Sequence, residues 1–469
     1  MVQSIVLSLV DQVRIVVPDS LNLITPYVLT EQQDWFEDEI KFLRLALRPG
    51  QRVIDIGANY GVYTLCMAKT VGPAGHVWAF EPATTTAALL AESIAENGFN
   101  QVTLVRCALS QSEGYAELSV SSHSELNSLV HNGSDGSAHE TVALTTLDAG
   151  LTAHDWTDID FVKIDAEGEE SNILRGAQKF CSELSPLIQY EVKAGTEWHL
   201  ELVNEFAALG YDSYRLVPGL NLLIPFDGSA PDGFLLNLFC CKPDRAALLS
   251  SWGLLATREA LRQARKSSDD PSIGDAPADK YHWRQALPAR TYAGPLLGGW
   301  DRASSSAFGS GLELALGLQE ASRDPTFPAA DRVVALERAV RILTTLCASA
   351  PTTTRLSTLA RMTHEWGARS ASITALLNLF TKADADARKD DAFREPFLPP
   401  GLRFESVTAV GAFQSWMMAA ALEQFEHHCA FSSFYTGASA KPRLEAIRDL
   451  GFGSPEMGRR LRLVQLRHG

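Results

Sequence analysis

Short apolar segments alternate with amphipathic segments from residue 53 to about residue 242. This alternation is typical of a parallel sheet that carries helices on both of its faces. The apolar segments predict strands at residues 52–56, 76–80, 102–107, 161–164 and 187–192, with two more at 142–144 and 235–241. The amphipathic segments predict helices at residues 31–46, 63–69, 84–97, 170–180 and 197–208.

The pattern changes after residue 241. One more helix is predicted at residues 245–265, and the next segment, 266–300, combines Ser, Asp, Pro, Gly and Ala with little periodicity. Such a composition indicates a linker or a loosely packed loop. Beyond it the strand signals end, and apolar positions recur at helical spacing around residues 333–347, 356–366, 373–380 and 408–425. Both a solenoid of helical hairpins and a compact helical domain fit this spacing.

Composition and charge narrow the classes of function. The chain has 469 residues, of which 46% are hydrophobic and 21% charged, as expected for a globular protein with two or three domains. Its formal net charge of −15 argues against nucleic acid or an anionic membrane as the main partner. The seven cysteines show no C-x-x-C spacing, which favours free thiols in a reducing compartment. The first residues lack a basic region before an apolar one, so we predict a cytoplasmic protein without a membrane span.

The segment VIDIGANYG, residues 53–61, is the first candidate for a ligand site. A strand that ends at Asp55 runs into a turn containing Gly57, Asn59 and Gly61, and a helix is predicted to follow. Such a turn presents backbone N–H groups and a positive helix end to a ligand. A dinucleotide fingerprint would read G-x-G-x-x-G, whereas Asn59 stands here in place of the second glycine. We therefore predict S-adenosylmethionine, whose cationic amino-acid end tolerates the nearby Asp55 carboxylate, rather than NAD.

Glu81 ends the next predicted strand, HVWAFEP. An acid at this position of a doubly wound sheet can accept both hydroxyls of a ribose. That role would serve an adenosyl group equally well in NAD and in S-adenosylmethionine, so Glu81 does not separate the two cofactors. The alternative is a surface carboxylate at the end of a strand.

A set of short motifs along the chain can be compared with a known protein family. In chain order they are VIDIGANYGVYT (53–64), FEP (80–82), ENG (96–98), CALS (107–110), NSL (127–129), TLD (146–148), DFVKIDAEGEE (160–170), LRGA (174–177) and YEV (190–192). With these motifs the chain resembles the FkbM-type S-adenosylmethionine-dependent methyltransferases over roughly residues 30–243. Members of that family are mostly O-methyltransferases that act on hydroxyls of sugars, polyketides or other secondary metabolites. Ala108 matches an alanine of the family and is added to the cofactor-binding candidates.

The resemblance implies a fold class, and the change of pattern after residue 241, on which the resemblance says nothing firm, adds a domain division. The fold would be α/β, a doubly wound Rossmann-like sheet of the class I methyltransferases, with a second, all-α domain at the C-terminus. Residues 1–50 would be a strand and helix extension that packs on the catalytic domain, and residues 51–243 would bind S-adenosylmethionine. Residues 244–305 would be a helix and linker, and residues 306–469 a helical, repeat-like or compact domain that covers the active site, dimerises or recruits a partner.

Methyl transfer to an alcohol needs alignment and a base. Holding the nucleophile in line with the methyl group is the main contribution of the protein, and a base adds to it by accepting the proton. The segment KIDAEGEE, residues 163–170, places Asp165 and Glu167 at the carboxyl end of a strand, where α/β sheets bind ligands. We predict that Asp165 lines the methionine end of the cofactor or the acceptor hydroxyl. Glu167 is the first candidate for the base, or else it caps the next helix; Glu191 is the second candidate, and Lys163 is expected to pair with a carboxylate.

Metal-dependent chemistry is the less favoured alternative. Asp165, Glu167 and Glu191 could together hold Mg²⁺, but no further acid completes an obvious site, so metal-independent transfer is preferred. His123 and His131 could also act as a base, although a loop histidine is more often solvated. Near the C-terminus, the sequence EQFEHH (423–428) has metal-like spacing, but a polar helix face is the preferred interpretation.

Two other classes of function stay open at this point. The first is a non-catalytic Rossmann-like binding or scaffold protein whose helical half recruits a partner. The intact acids and glycines of the turn argue against it. The second is an NAD-dependent oxidoreductase, which the missing glycine disfavours. The preferred acceptor is a small-molecule or glycan hydroxyl, with neither nucleic acid nor a membrane as partner, and with a homo-oligomer or a protein partner possible through the helical domain.

Overall fold

The structure, a computed structural model, describes residues 3–120, 128–129, 138–194, 197–229, 231–269, 281–303, 309–386, 393–409 and 411–469. The chain divides into two compact units. The first unit consists of Met1–Leu216, Pro225–Pro231 and Leu235–Ser251, and the second of Val217–Ile224, Asp232–Phe234 and Trp252–Gly469. The domain boundaries that the sequence suggests at residues 243 and 305 stay predictions beside this division.

The strands of the described residues are β1 (Ser4–Ser8), β2 (Arg14–Pro18), β3 (Arg52–Ile56), β4 (His76–Phe80), β5 (Val102–Val105), β6 (Ala108–Leu109), β7 (Gly114–Val120), β8 (Ser128–Leu129), β9 (Ala138–Thr145), β10 (Phe161–Ile164), β11 (Leu187–Glu191), β12 (Lys193–Ala194), β13 (Glu197–Trp198), β14 (Asp212–Val217), β15 (Leu222–Pro225) and β16 (Asn237–Cys241). The predicted strands at 52–56, 76–80 and 161–164 coincide with β3, β4 and β10. The other predicted strands overlap β5, β9, β11 and β16 and differ from them at their ends.

The main sheet of the first unit is doubly wound. Seven of its strands follow one another in the order β14-β16-β11-β10-β3-β4-β5. From β11 to β5 the neighbouring strands are parallel, and β16 runs antiparallel to both β11 and β14. The chain leaves β3 toward β4 on one side and returns to β10 on the other, so the strand order reverses at β3. Ligands of such sheets bind at the carboxyl ends of the strands beside this reversal. The predicted α/β, doubly wound fold is confirmed.

Helices cover both faces of this sheet. Those of the first unit are α1 (Ile24–Gln32), α2 (Asp38–Ala46), α3 (Val62–Val71), α4 (Thr84–Asn97), α5 (Leu147–Ala153), α6 (Glu170–Arg175), α7 (Gln178–Glu183), α8 (Glu201–Ala208) and α9 (Pro243–Ser251). Strands β3 and β10 are buried almost throughout, because each face of the sheet packs against helices. This is why their sequences are nearly continuous apolar runs rather than alternating ones.

Several predicted helices are wrong in their extent. The helix predicted at 31–46 is the end of α1 and a separate α2, because Gln33 takes a left-handed conformation with φ 61° and ends α1. The helix predicted at 170–180 is divided into α6 and α7 at Gly176. The helix predicted at 197–208 begins only at Glu201, since Glu197–Trp198 forms β13. The helix predicted at 245–265 is interrupted around Gly253, which has φ +73°.

Three smaller sheets complete the described part of the first unit, one of them the short antiparallel pair of β12 and β13. Strands β1 and β2 pair as an antiparallel hairpin, and the Val16 N–H donates to Ser93 Oγ on α4 at 2.8 Å. Buried side chains of β2, among them Ile15 and Val17, pack with Leu65 of α3. Strands β6, β9, β7 and β8 form the second small sheet, in that order. The N-terminal hairpin thereby shares a core with the helix that follows the glycine-rich turn.

The second unit is built from helices, and its described helices after residue 256 are Arg258–Asp269, Trp283–Ala286, Leu297–Ala303, Gly309–Arg323, Ala329–Ser349, Thr353–Trp366, Arg369–Asp386, Phe413–Cys429, Ser433–Thr436, Lys441–Leu450 and Pro455–His468. The predicted helical domain is confirmed. Of the segment 266–300 predicted as a loose linker, residues 270–280 lie outside the described residues. Over residues 281–300 the prediction is wrong, because Trp283, Tyr292 and Trp300 lie fully buried in the core of the unit. Across the described residues, we find no helix with the length and apolar character needed to cross a membrane.

Candidate functional site

The turn after β3 has an unusual backbone conformation. Gly57, Asn59 and Gly61 all have positive φ values, of 78°, 50° and 98°. Glycine adopts this region freely and asparagine more readily than most residues, which explains the residue types at these positions. The N–H groups of Gly57 and Ala58 donate to the carbonyl oxygen of Phe80 at 3.1 and 3.0 Å. These bonds hold the turn against the end of β4.

Gly57 also lies in close contact with the neighbouring strand end. A Cβ atom at this position would be 1.8 Å from the backbone oxygen of Asp165 and 2.9 Å from its carbonyl carbon. Only glycine therefore allows the ends of β3 and β10 to approach this closely. The structure thus brings together the glycine turn and Asp165, which are more than one hundred residues apart in sequence.

Glu81 closes the other side of the turn. Its side chain is buried, with Oε1 accepting from the Ala83 N–H and Oε2 from the Asn59 N–H, both at 2.9 Å. Burial raises the pKa of Glu81 to about 7, although these backbone hydrogen bonds act in the opposite direction. The carboxyl group is therefore placed at the end of β4, beside the turn, as the prediction of a ribose acceptor requires. The role itself stays a prediction.

Asp55 is buried beneath the turn. Its Oδ2 accepts a hydrogen bond from Thr64 Oγ1 at 2.5 Å, while Oδ1 has no hydrogen-bond partner among the described residues. Burial raises the pKa of Asp55, and the positive charge of Lys163 lowers it. A buried carboxylate oxygen without a partner is costly, so this atom is a candidate acceptor for a ligand group or a neighbouring donor.

Lys163 and Asp165 form an ion pair at the end of β10. The Lys163 ammonium donates to Asp165 Oδ2 at 2.6 Å, as the sequence predicts for a lysine beside a carboxylate. Lys163 is buried, and the Asp165 side chain remains 36% exposed. Burial by itself would lower the pKa of Lys163, but the charges of Asp165 and Asp55 outweigh it, so the pKa is raised. Lys163 is therefore a charged group inside the fold.

Glu191 lies at the end of β11, the strand next to β10. Burial raises the pKa of Glu191 to about 10, and the negative charges of Asp165 and Glu167 act in the same direction. At neutral pH the carboxyl group is thus protonated in the absence of a ligand. The two predicted base candidates Glu167 and Glu191 therefore interact electrostatically with each other and with Asp165, at adjacent strand ends.

Glu167 occupies a strained loop position between β10 and α6. Its φ is 49°, and the following Gly168 has φ 96°. The side chain that holds this loop is that of Glu170, whose Oε1 accepts from the N–H groups of Ala166 at 2.9 Å and Gly168 at 3.3 Å. Glu170, which was not among the predicted site residues, therefore stabilises the loop that contains Glu167. Its position four residues after Ala166, at the start of α6, was the available signal.

Three further residues of the site were missed. The Tyr63 hydroxyl donates to the Glu37 carboxylate and accepts from Gln189 Nε2 at 3.2 Å. The Lys163 ammonium lies 4.8 Å from the centroid of the Tyr63 ring. Gln189 is a fully buried polar residue in the otherwise apolar part of β11, and that exception was a signal in the sequence. Nothing local identifies Glu37.

Ala108 lies in β6, opposite Leu144 of β9, and its side chain is partly buried against Leu118 and Val142. Its predicted contact with the cofactor stays a prediction.

The comparison with protein families identifies the domain that contains this sheet. Residues 55–213 match the family model described as the methyltransferase FkbM domain, over about a third of the chain. Residues 55–213 form an FkbM methyltransferase domain. The resemblance inferred from the motifs is confirmed, and S-adenosylmethionine is the cofactor that this domain uses. No curated protein matches the chain.

Solved structures show a similar arrangement at low sequence identity. A methyltransferase FkbM from Methylobacillus flagellatus is 16% identical, with 43% of this chain and 50% of that chain covered and a TM-score of 0.28. A SAM-dependent O-methyltransferase from Thermotoga maritima is 16% identical, with coverages of 49% and 73% and a TM-score of 0.25. An rRNA methylase from Streptococcus thermophilus is 12% identical, with coverages of 44% and 93% and a TM-score of 0.26.

The residues of the FkbM domain fit the cofactor. Oδ1 of Asp55 is a buried acceptor without a partner among the described residues. The backbone N–H groups of residues 57–61 all donate to acceptors within the protein, so the prediction that the turn presents free N–H groups to a ligand is wrong. Glu81 is the candidate for the ribose hydroxyls, residues 57–61 for a close approach of the backbone to the cofactor, and Asp55 with Asp165 for the cationic amino-acid end. When bound, the cofactor supplies a methyl group on a positively charged sulfur.

The remaining predicted candidates fall outside this cluster. His123 and His131 lie outside the described residues. Within the described part of the chain, no group of three or more His, Cys, Asp or Glu side chains is placed to hold a metal ion.

The predicted polar face at residues 423–428 is wrong, because Glu423, Glu426 and His428 are buried. Glu423 pairs with Arg403 at 2.9 Å, and Glu426 pairs with Arg443. His428 is hydrogen-bonded to Ser372 and Gln424. These residues are internal polar contacts of the second unit.

Proposed function

We propose that this protein transfers the methyl group of S-adenosylmethionine to a hydroxyl of a sugar, a glycan or a secondary metabolite. The observation that carries the proposal is a group of three carboxyl groups, Asp165, Glu167 and Glu191, at the ends of the adjacent strands β10 and β11. The backbone of Asp165 also lies against Gly57 of the glycine turn. Their mutual effect on the pKa of Glu191 shows that they share one electrostatic environment. A hydroxyl acceptor needs such a group, because its proton must leave as the new bond forms.

The proposed reaction is an in-line displacement. The acceptor oxygen forms a bond to the methyl carbon while the carbon–sulfur bond breaks, and the hydroxyl proton passes to a carboxylate. Alignment at about 3 Å supplies most of the acceleration, and the base typically contributes a factor of about 10² to 10⁴. No metal is needed for either part.

We propose Glu167 as the base. Asp165 is already engaged with Lys163, and Glu191 holds its proton at neutral pH. Glu167 is half-buried in a backbone conformation that costs a non-glycine residue roughly 1 kcal/mol or more. Strain of this kind persists where the surroundings fix a residue, and it is frequent at functional sites.

The charge of the site supports a neutral acceptor. Among the described residues, Asp55, Asp165, Glu167 and Glu191 lie near the proposed cofactor position, with Lys163 as a neighbouring cation, and the whole chain carries a net charge of −15. A phosphate backbone would be repelled by this field, whereas the cationic cofactor would be attracted. This favours a hydroxylated small molecule or glycan over RNA, which an rRNA methylase would use.

The test uses S-adenosylmethionine labelled with ¹³C in the methyl group. The purified chain is incubated with methyl glycosides, small polyols, polyketide alcohols and total RNA, and the products are analysed by NMR. We expect label on oxygen of a hydroxylated small molecule or glycan, a loss of about 10²-fold or more in Glu167→Gln, and no loss in Glu92→Gln, an exposed control on α4. Label on nitrogen, or on RNA, would overturn the proposal.

A further inference from the structure

Lys163 occupies the middle of a polar row that crosses the sheet beneath the site. On one side it is in register with Asp55 of β3, and on the other side with Gln189 of β11. Side chains at paired positions of adjacent parallel strands point to the same face, so all three point toward the same helical layer. All three are buried. A charged row inside a sheet that is otherwise apolar on this face is costly unless its charges balance.

The row has more acceptors than its hydrogen bonds use. Asp55 Oδ1 and Gln189 Oε1 are both buried and have no hydrogen-bond partner among the described residues. Lys163 lies between them and uses one of its three protons, on Asp165 Oδ2. The Lys163 ammonium therefore neighbours the carboxylates of Asp55 and Asp165, and the amide oxygen of Gln189 lies on its other side.

The layer above the row limits where Lys163 can lie. The ring of Tyr63, on α3, packs against the ammonium, with 4.8 Å between Nζ and the ring centroid. The ring is fixed in turn, because its hydroxyl donates to Glu37 and accepts from Gln189. Glu37 precedes α2 and lies outside the residues that match the FkbM domain. A residue from the N-terminal part of the chain thereby takes part in the same network.

We propose that Lys163 is a positioning residue of the methyl-transfer site. It orients the Asp165 carboxylate at the edge of the sheet and supplies a positive charge next to the buried carboxyl group of Asp55. Tyr63, held between Glu37 and Gln189, keeps the ammonium between the two acids. The inference rests on the proposed function, in which these two acids receive the cationic amino-acid end of the cofactor.

The proposal has a consequence for pH dependence. The groups that face Lys163 are Asp165 from its own strand, Asp55 from β3, Gln189 from β11, Tyr63 from α3 and Glu37 from the loop before α2. Without the ammonium, the buried Asp55 would lose the positive charge that lowers its pKa, and it would take up a proton at a higher pH. Ligand binding by an ionised carboxylate would then weaken as the pH falls.

The test is a calorimetric titration with S-adenosylhomocysteine, which keeps the ammonium group of the cofactor. Affinity is measured at pH 6 and pH 8 for the wild type, Lys163→Met and Lys163→Arg, each checked for folding by thermal unfolding. We expect the loss of affinity from pH 8 to pH 6 to be about tenfold larger in Lys163→Met than in the wild type, since one pKa unit corresponds to a factor of ten. Lys163→Arg, which keeps the charge, should restore most of the wild-type ratio.

Each outcome either supports or refutes the positioning role of Lys163. A folded Lys163→Met variant with the wild-type ratio would overturn the positioning role while leaving the proposed function intact. If that variant does not fold, Gln189→Glu is used instead, because a carboxylate in register with Lys163 would draw the ammonium away from Asp165. A shift in the same direction as that expected for Lys163→Met supports the proposal, and an unchanged ratio refutes it. Absence of binding by the wild type would overturn the proposed function itself.

Discussion

Replacing Gly57 by alanine should separate the ends of β3 and β10. The new Cβ would be 1.8 Å from the backbone oxygen of Asp165, whereas real Cβ contacts are essentially never below 3.0 Å. The two strand ends would have to part by about 1 Å, because neither atom belongs to a side chain that could rotate away. The Asp165 N–H bond to the Ile56 oxygen, now 3.2 Å long, would be lost in that movement.

The expected cost can be divided into parts. A left-handed conformation costs alanine roughly 1–2 kcal/mol, and a lost buried hydrogen bond costs about another 1–3 kcal/mol. Gly57→Ala should therefore lower the free energy of unfolding by about 3 kcal/mol. It should also weaken S-adenosylhomocysteine binding, since Asp165 moves with the strand end. Urea denaturation and calorimetry measure the two effects.

Gly98→Ala is the matched control. Gly98 ends α4 with φ +63°, but a Cβ there would have nothing within 4 Å. This variant has the backbone cost without the steric conflict, so a loss of only about 1 kcal/mol is expected, with unchanged affinity. Equal losses of stability in the two variants, with ligand binding intact in both, would refute the idea that contact between β3 and β10 makes glycine necessary.

Three other predictions concern single side chains. Glu81→Gln should weaken S-adenosylhomocysteine binding about tenfold or more. In the wild type, affinity should rise as the pH increases through about 7, because the buried Glu81 carboxyl group ionises there. Glu81→Gln should abolish this rise. Calorimetry from pH 6 to 8 tests both effects. Trp416→Ala, in the core of the second unit, should cost about 3–5 kcal/mol in urea denaturation. Arg361→Met should cost a similar amount, because the buried Glu365 would lose its ion pair and keep only the hydrogen bond from Gln319 Nε2; adding Glu365→Gln should recover part of the loss.

The strands and the glycine turn could be predicted because their signals are local. A buried strand is a short apolar run, and a turn with three left-handed residues needs glycine or asparagine at those positions; β3, β4 and β10 accordingly coincide with the prediction. Helix interruptions were harder to predict. The break after Gln33 depends on one backbone conformation that a periodic pattern does not encode.

The segment at residues 281–300 shows that composition alone can mispredict structure. Its small and polar residues resemble those of a linker, yet Trp283 and Trp300 are buried against each other and Trp300 also against Phe397. Burial of a few large aromatic rings can order a segment whose remaining residues carry no periodicity. The partner Phe397 is almost one hundred residues away, so no local pattern reports it.

The amino-acid sequence by itself determined the alternation of strands and helices, the turn at residues 57–61 and the acids at the strand ends, because each depends on neighbours within one element. Only the tertiary structure decided which distant groups share a charge environment. Glu37, Tyr63 and Gln189 meet around Lys163, and Tyr63 and Gln189 are 126 residues apart. Electrostatic and hydrogen-bond energies depend on distance in space, and that distance is fixed by strand order and helix packing rather than by position along the chain.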